Sequence, residues 1–203
     1  MTGSVQAASN SGGIAVAGVV VIVVVAVVVI GLLLWALTAY NRLIRQRNQV
    51  RASWAQIDVQ LKRRYDLIPN LVETVRGYAE HERGTLDAVV GARNSAINVA
   101  GAAPAARAEA ENALSQTLGR LFALSEAYPN LKANENFLGL QSELAGTEDK
   151  IAYARQFYNS AVQTYNNSVQ TIPTTVIAGI GSFGTESLFE AGGAEQGPVQ
   201  VHF

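Results

Sequence analysis

The sequence predicts an all-α protein: a single N-terminal transmembrane helix, an antiparallel up-and-down four-helix bundle, and an irregular C-terminal tail. Three observations carry this expectation. Residues 14–37 hold no ionisable side chain, apolar residues recur at helical steps through most of the remaining chain, and strand-like alternation is nearly absent. The expected divisions are a short tail over 1–13, the span over 14–40, the bundle over 41–171, and an apolar segment with a flexible tail over 172–203.

The span comes first. The 24 residues from Ile14 to Leu37 are mostly Val, Ile, Leu and Ala. At about 1.5 Å per residue they reach about 36 Å, enough for a hydrocarbon core of ~30 Å with some tilt. Trp35 and Tyr40 stand at its C-terminal end, where amphipathic rings favour the membrane interface. A cleaved signal peptide fits less well: there is no basic leader, the apolar run is long, and no small-x-small site precedes Asn41. Arg42, Arg45, Arg47 and Arg51 follow the span, while residues 1–41 carry no charge. The positive-inside rule therefore puts the N-terminus outside and the bundle in the cytoplasm. The same four arginines are candidates for contact with anionic headgroups, or a topology signal alone.

Helix one continues out of the span with Leu43, Val50, Trp54, Ile57, Leu61 and Tyr65 on one stripe. Asp66-Leu67-Ile68-Pro69 then predicts a break, with Asp66 as N-cap and Pro69 in the first turn of helix two; a Pro-kinked continuous helix is the alternative. Helix two is expected to run to about Ala100 with Val72, Val75, Ala79, Leu86, Val90 and Ile97 on one face. Pro104 suits the first position of helix three, which carries Leu114, Leu118, Leu121, Leu124 and Tyr128. After Tyr128-Pro129-Asn130, helix four presents Phe137, Leu140, Leu144, Ile151, Ala154, Tyr158, Val162, Tyr165, Val169 and Ile172, in a coiled-coil-like pattern. Short connections favour antiparallel neighbours. If the break at Asp66 holds, helix four returns towards the membrane and brings 172–183 with it. If Pro69 merely kinks one helix, the parity flips and that segment points away.

Composition narrows the chemistry. The chain has no cysteine, which excludes disulfides, thiolate metal sites and a Cys nucleophile, and a net charge of −1 argues against a nucleic-acid partner. Seven cations face one acid, Asp58, over 42–64; beyond, 8 basic face 15 acidic residues. Gly179-Ile180-Gly181-Ser182-Phe183-Gly184 matches GxGxxG, but too little chain follows to complete a βαβ unit. His81-Glu82 begins like HExxH, yet Thr85 takes the second His position and the other histidine is His202. No catalytic, metal or cofactor constellation emerges, and the sequence predicts no enzyme. Asn134, Asn136, Asn159, Asn166 and Asn167 punctuate helix four, where asparagine is a mediocre helix former. Fixing helix register or capping loops is favoured for them over forming a polar partner patch.

These residues resemble the LemA family. The likeness rests on Arg64-Tyr65-Asp66-Leu67-Ile68-Pro69-Asn70-Leu71-Val72, on Gly77-Tyr78-Ala79-Glu80-His81-Glu82, and on Tyr128-Pro129-Asn130-Leu131-Lys132-Ala133-Asn134-Glu135-Asn136-Phe137. Gly146-Thr147-Glu148, Ile151-Ala152-Tyr153-Ala154-Arg155, Tyr158-Asn159, Tyr165-Asn166 and the closing Val199-Gln200-Val201-His202-Phe203 extend it. The resemblance implies a single-pass protein of the bacterial inner membrane with a cytoplasmic four-helix bundle. It supplies no reaction; some members are associated with magnetosome formation.

The function expected is that of a membrane-anchored scaffold or adaptor for protein partners not identified by the sequence, with self-association in view. Ile172, Val176, Ile177 and Phe183 are its candidate interaction residues, because they lie beyond the bundle as an apolar patch, with packing of that segment back onto the bundle as the equal alternative. The alternative is a membrane-remodelling or lipid-organising factor working through the arginines and that same segment. Membrane lipid is a partner in both readings.

Overall fold

The computed structural model describes residues 3–79 and 81–190, with side chains from residue 18 onward. Six helices follow in order: α1 (Gly3–Arg76), α2 (Arg83–Asn98), α3 (Pro104–Ser125), the single turn α4 (Pro129–Lys132), α5 (Glu135–Gln170) and α6 (Thr174–Ile180). No strand occurs among the described residues. The chain divides into two compact units. One is built on the chain up to Arg45 together with Ser168–Gly184, the other on Gln46–Asn167 with the chain from Thr185.

In the unit from Gln46, α1 and α5 run antiparallel. Tyr78, just past α1, accepts a hydrogen bond from Asn134 (2.9 Å); Arg64 pairs with Glu148 (2.6 Å); Trp54 meets Tyr158 at 5.1 Å between ring centroids. Positions descending along α1 thus meet positions ascending along α5. The core stripes follow the apolar spacing: Ile57, Leu61 and Tyr65 on α1, Leu114, Leu118 and Leu121 on α3, and Leu144, Ile151, Tyr158, Val162 and Tyr165 on α5 are all buried. Pro104 opens α3 in its first turn, and the Asn134 side chain accepts the Phe137 N–H to cap α5 (2.9 Å).

The break expected at Asp66 is absent, and α1 continues through Pro69. A helical proline normally orphans the carbonyl four residues earlier, here that of Tyr65. Arg93 of α2 fills the gap: its Nε–H donates to the Tyr65 carbonyl at 2.8 Å. A tertiary donor replaces the missing backbone one, so the helix need not stop. It stops instead at Gly77-Tyr78, where Tyr78 and Ala79 both donate to the Val75 carbonyl, and α2 begins at Arg83. Continuation through Pro69 shifts the phase of the next helix. Leu86, Val89 and Ala96 are the buried residues of α2, whereas Val90 and Ile97, expected in the core, are each 37% exposed.

In the other unit α1 is described as helix from Gly3, eleven residues before the expected start of the span at 14. It is the one described helix long and apolar enough to cross a membrane, with a mean hydropathy of 3.4 in its most apolar window. The apolar side chains from Val19 to Leu34 are all about half exposed or more. A cis Ile172–Pro173 bond precedes α6, which ends in a tight turn with Ser182 at φ 53°. Phe183 then packs edge-on against Tyr40, ring centroids 5.4 Å apart. Gly181 is required there: a Cβ would sit 2.4 Å from the Phe183 ring and 3.1 Å from Tyr40.

Of the expected apolar segment and tail over 172–203, the part up to residue 190 is described. Residues 183–190 are extended, with Phe183 and Phe189 buried. The remainder of that tail, 191–203, lies outside the described residues.

Candidate interaction surfaces

Three features of the unit from Gln46 and one of the other unit bear on function. The first is a buried ionic cluster. Arg64 is 1% exposed, and its guanidinium reaches the Glu111 carboxylate, Glu148 (2.6 Å) and the Ser115 hydroxyl (2.9 Å), tying α1 to α3 and α5 at once. The Tyr65 hydroxyl donates to the same Glu111 carboxylate. Burial, reinforced by that carboxylate, holds the Tyr65 hydroxyl well above the usual phenol range. Arg107, also buried, pairs with Asp58 at 2.5 Å, donates to the Ala100 carbonyl and lies 5.2 Å over the Trp54 ring. Breaking such a buried pair from one side costs several kcal/mol, so the cluster fixes which helix faces meet. Of the two roles expected of the asparagines, capping is seen at Asn134, while these charges tie the helices together.

The asparagines act elsewhere. Asn166 and Asn159 of α5 each grip one residue of the extended tail through both backbone groups. Asn166 Nδ2 donates to the Glu186 carbonyl (2.8 Å) while its Oδ1 accepts the Glu186 N–H (2.9 Å). Asn159 does the same for Phe189, at 3.2 and 2.9 Å. Seven helical residues rise about 10.5 Å and three extended residues about 10 Å, so the two grips stay in step. Tyr158 adds a bond to the Ser187 carbonyl (2.8 Å), and its own pKa is pushed up to about 12, by burial first and Glu186 second. The anchored Phe189 ring sits against Trp54 (5.5 Å) and under the Arg155 guanidinium (5.3 Å).

The third feature is an open cleft of about 560 Å³ between α1 and α5, lined by Val59, Gln60, Asp149, Lys150, Tyr153 and Ala154 among others. Tyr153 and Val59 are 72% and 63% exposed. Neither was singled out by the sequence, because each lies off the core stripe of its helix.

In the other unit, the four residues expected to form an interaction patch divide. Phe183 is buried on Tyr40 and Ile177 is half-buried, whereas Ile172 and Val176 are exposed. Ile180, not among them, is 80% exposed and shares a face of α6 with Val176, four residues earlier. The arginines divide as well. Arg42 and Arg45 line a cleft with Trp35, Thr38, Ala39 and Thr174. Arg47 and Arg51 belong to the unit from Gln46, where they act electrostatically on Tyr165, whose pKa burial and then Glu186 raise and these arginines lower. Among the described residues, no group of three His, Asp or Glu side chains converges as a metal ion would require.

The chain is 23% identical over 194 residues to Magnetosome protein MamQ 2 of Paramagnetospirillum magneticum, covering 84% of this chain and 71% of that protein. Magnetosome protein MamQ of Magnetospirillum gryphiswaldense shows the same identity and coverage. Protein LemA of Metamycoplasma hominis is 28% identical over 121 residues, 59% of this chain and 54% of its own length. The LemA family profile matches residues 53–203, which include the ionic cluster, both asparagine grips and the Val59–Tyr153 cleft. The chain belongs to the LemA family.

Proposed function

We propose that this protein is a non-enzymatic, membrane-anchored adaptor, with its N-terminus outside the inner membrane and its bundle presented to protein partners in the cytoplasm. The orientation rests on the arginines that follow the span and the absence of charge before it. The carrying observation is the open cleft between α1 and α5, in which Val59 and Tyr153 stay largely exposed on helices held rigidly by buried charge pairs. An exposed tyrosine beside apolar neighbours, on a surface that does not give way, is the composition of an interface centre. The groove between two helices suits an amphipathic partner helix, and Asp149 and Lys150 on its rim select for a partner carrying both signs of charge.

The test is in-cell photocrosslinking from a photoreactive residue at Tyr153, with the same residue at exposed Lys132 as control. A defined adduct at 153 alone, abolished by Val59→Asp, is expected, whether the partner is another protein or a second copy. Identical adducts from both positions, or an adduct indifferent to Val59→Asp, would refute the cleft as a partner site.

A further inference from the structure

The geometry points to α6 as a second, interfacial membrane contact: a short helix lying at the bilayer surface beside the span, with Ile172, Val176 and Ile180 in the lipid. Four observations converge on it. Val176 and Ile180, 59% and 80% exposed and spaced by four, share one apolar face of α6, and Ile172, 80% exposed, adds an apolar side chain just before the helix. The helix belongs to the same compact unit as the span, and the Phe183 ring that follows it is seated on Tyr40. Tyr40 and Trp35 mark the level where aromatic rings meet headgroups, so whatever is fastened to Tyr40 sits at that level. Finally, residues 156–185 carry no ionisable side chain other than tyrosine, an uncharged run ending only at Glu186.

A covering protein is not needed to explain this apolar face. It lies in the unit whose span already exposes an apolar surface, Leu37 included at 61%, and extends that surface. Arg42 and Arg45, across the cleft from Thr174, supply positive charge at the same end. That charge favours anionic phospholipid over neutral lipid at this edge. Seven residues are far too short to cross a bilayer. An interfacial helix does not cross: its apolar face settles about 5–10 Å into the boundary between headgroups and acyl chains. Gly181 and the turn at Ser182 then direct Phe183 back onto the span, which holds the apolar face away from it.

The chain has no native thiol, so a single reporter is straightforward to place. The full chain carrying Val176→Cys, labelled with an environment-sensitive dye, is reconstituted at one copy per nanodisc of phosphatidylcholine and phosphatidylglycerol. Ile180→Cys is the second site, in case labelling at 176 disturbs folding, and Tyr153→Cys is the solvent control. At 176 and 180 the expected result is several-fold stronger quenching by shallow doxyl-lipid than by aqueous iodide, with the reverse at 153. Iodide quenching at 176 and 180 equal to that at 153 would overturn the inference. So would protection from both quenchers, which would mean that protein rather than lipid covers this face. Neither result touches the adaptor reading, which depends on the cleft of the other unit.

Discussion

The passage of α1 through Pro69 depends on one side chain of another helix, and a double-mutant cycle isolates it. In the native chain the Tyr65 carbonyl has no N–H four residues on, and Arg93 Nε–H occupies it at 2.8 Å. Tyr65 is buried, so Arg93→Ala leaves that oxygen without its donor in a poorly hydrated place. The cost of an orphaned buried acceptor is about 1–3 kcal/mol. For a chain of this size each kcal/mol moves the midpoint roughly 2–4 °C, so the variant should melt roughly 2–12 °C lower. Pro69→Ala restores the backbone N–H. In that background Arg93→Ala removes only the 3.3 Å bond to Asn94, an exposed contact worth less than about 0.5 kcal/mol. The assay is far-UV circular dichroism of the full chain in detergent, by heat and by urea, on all four members of the cycle. A coupling of about 1 kcal/mol or more is expected. If Arg93→Ala costs the same in both backgrounds to within about 0.5 kcal/mol, Arg93 does not stand in for the missing donor and the reasoning fails.

Arg64→Met strands the Glu111 carboxylate in the core and should cost about 3–5 kcal/mol, whereas Arg64→Met with Glu111→Leu should recover most of it; urea midpoints decide. Asn159→Ala frees both backbone groups of Phe189 and should raise amide exchange there about tenfold for each ~1.4 kcal/mol lost. Asn159→Asp keeps the acceptor but not the donor, and should fall between. Tyr158, at about 12, and Tyr65, higher, are raised above their unfolded value near 10, so the fold favours their neutral forms. Their contribution is complete below pH 10 and is lost as pH climbs through 12; urea midpoints taken from about pH 9 to 12 should fall. Tyr158→Phe should flatten that fall.

Much of the ionic cluster was written in the spacing. Arg107 and Glu111 keep the phase of Leu114, Leu118 and Leu121; Arg64 falls between Leu61 and Ile68, and Glu148 between Leu144 and Ile151. Each charge sits where its helix expects an apolar residue, and a search for ionisable groups in phase with the core would have found all four. The asparagine grips were half legible. Asn159 and Asn166 stand seven apart on one face, but nothing local shows that an extended segment three-residue-spaced at Glu186 and Phe189 would lie along them. The Val59–Tyr153 cleft was hidden for a different reason. Scattered apolar residues off the stripe are ordinary on any surface, and only the pairing of α1 with α5 brings these two together.

The two helix breaks show why an outcome can survive a wrong element. Proline at 69 carries a strong local penalty, yet the rescue comes from Arg93, remote in sequence and invisible to any window around Pro69. Gly77 carries a weaker penalty, but no tertiary donor was needed to end the helix there, since Tyr78 and Ala79 turn back onto the Val75 carbonyl. The reversal was therefore misplaced by about ten residues rather than lost. What decides where the chain ends up is the number of reversals, because each one inverts the direction of the next long helix. With that number unchanged, α5 still runs antiparallel to α1, as the Arg64–Glu148 and Trp54–Tyr158 contacts require. The alternative of a kinked, continuous α1 was correct about Pro69, yet its corollary, a segment pointing away from the membrane, does not follow. Phe183 is found on Tyr40, beside the span.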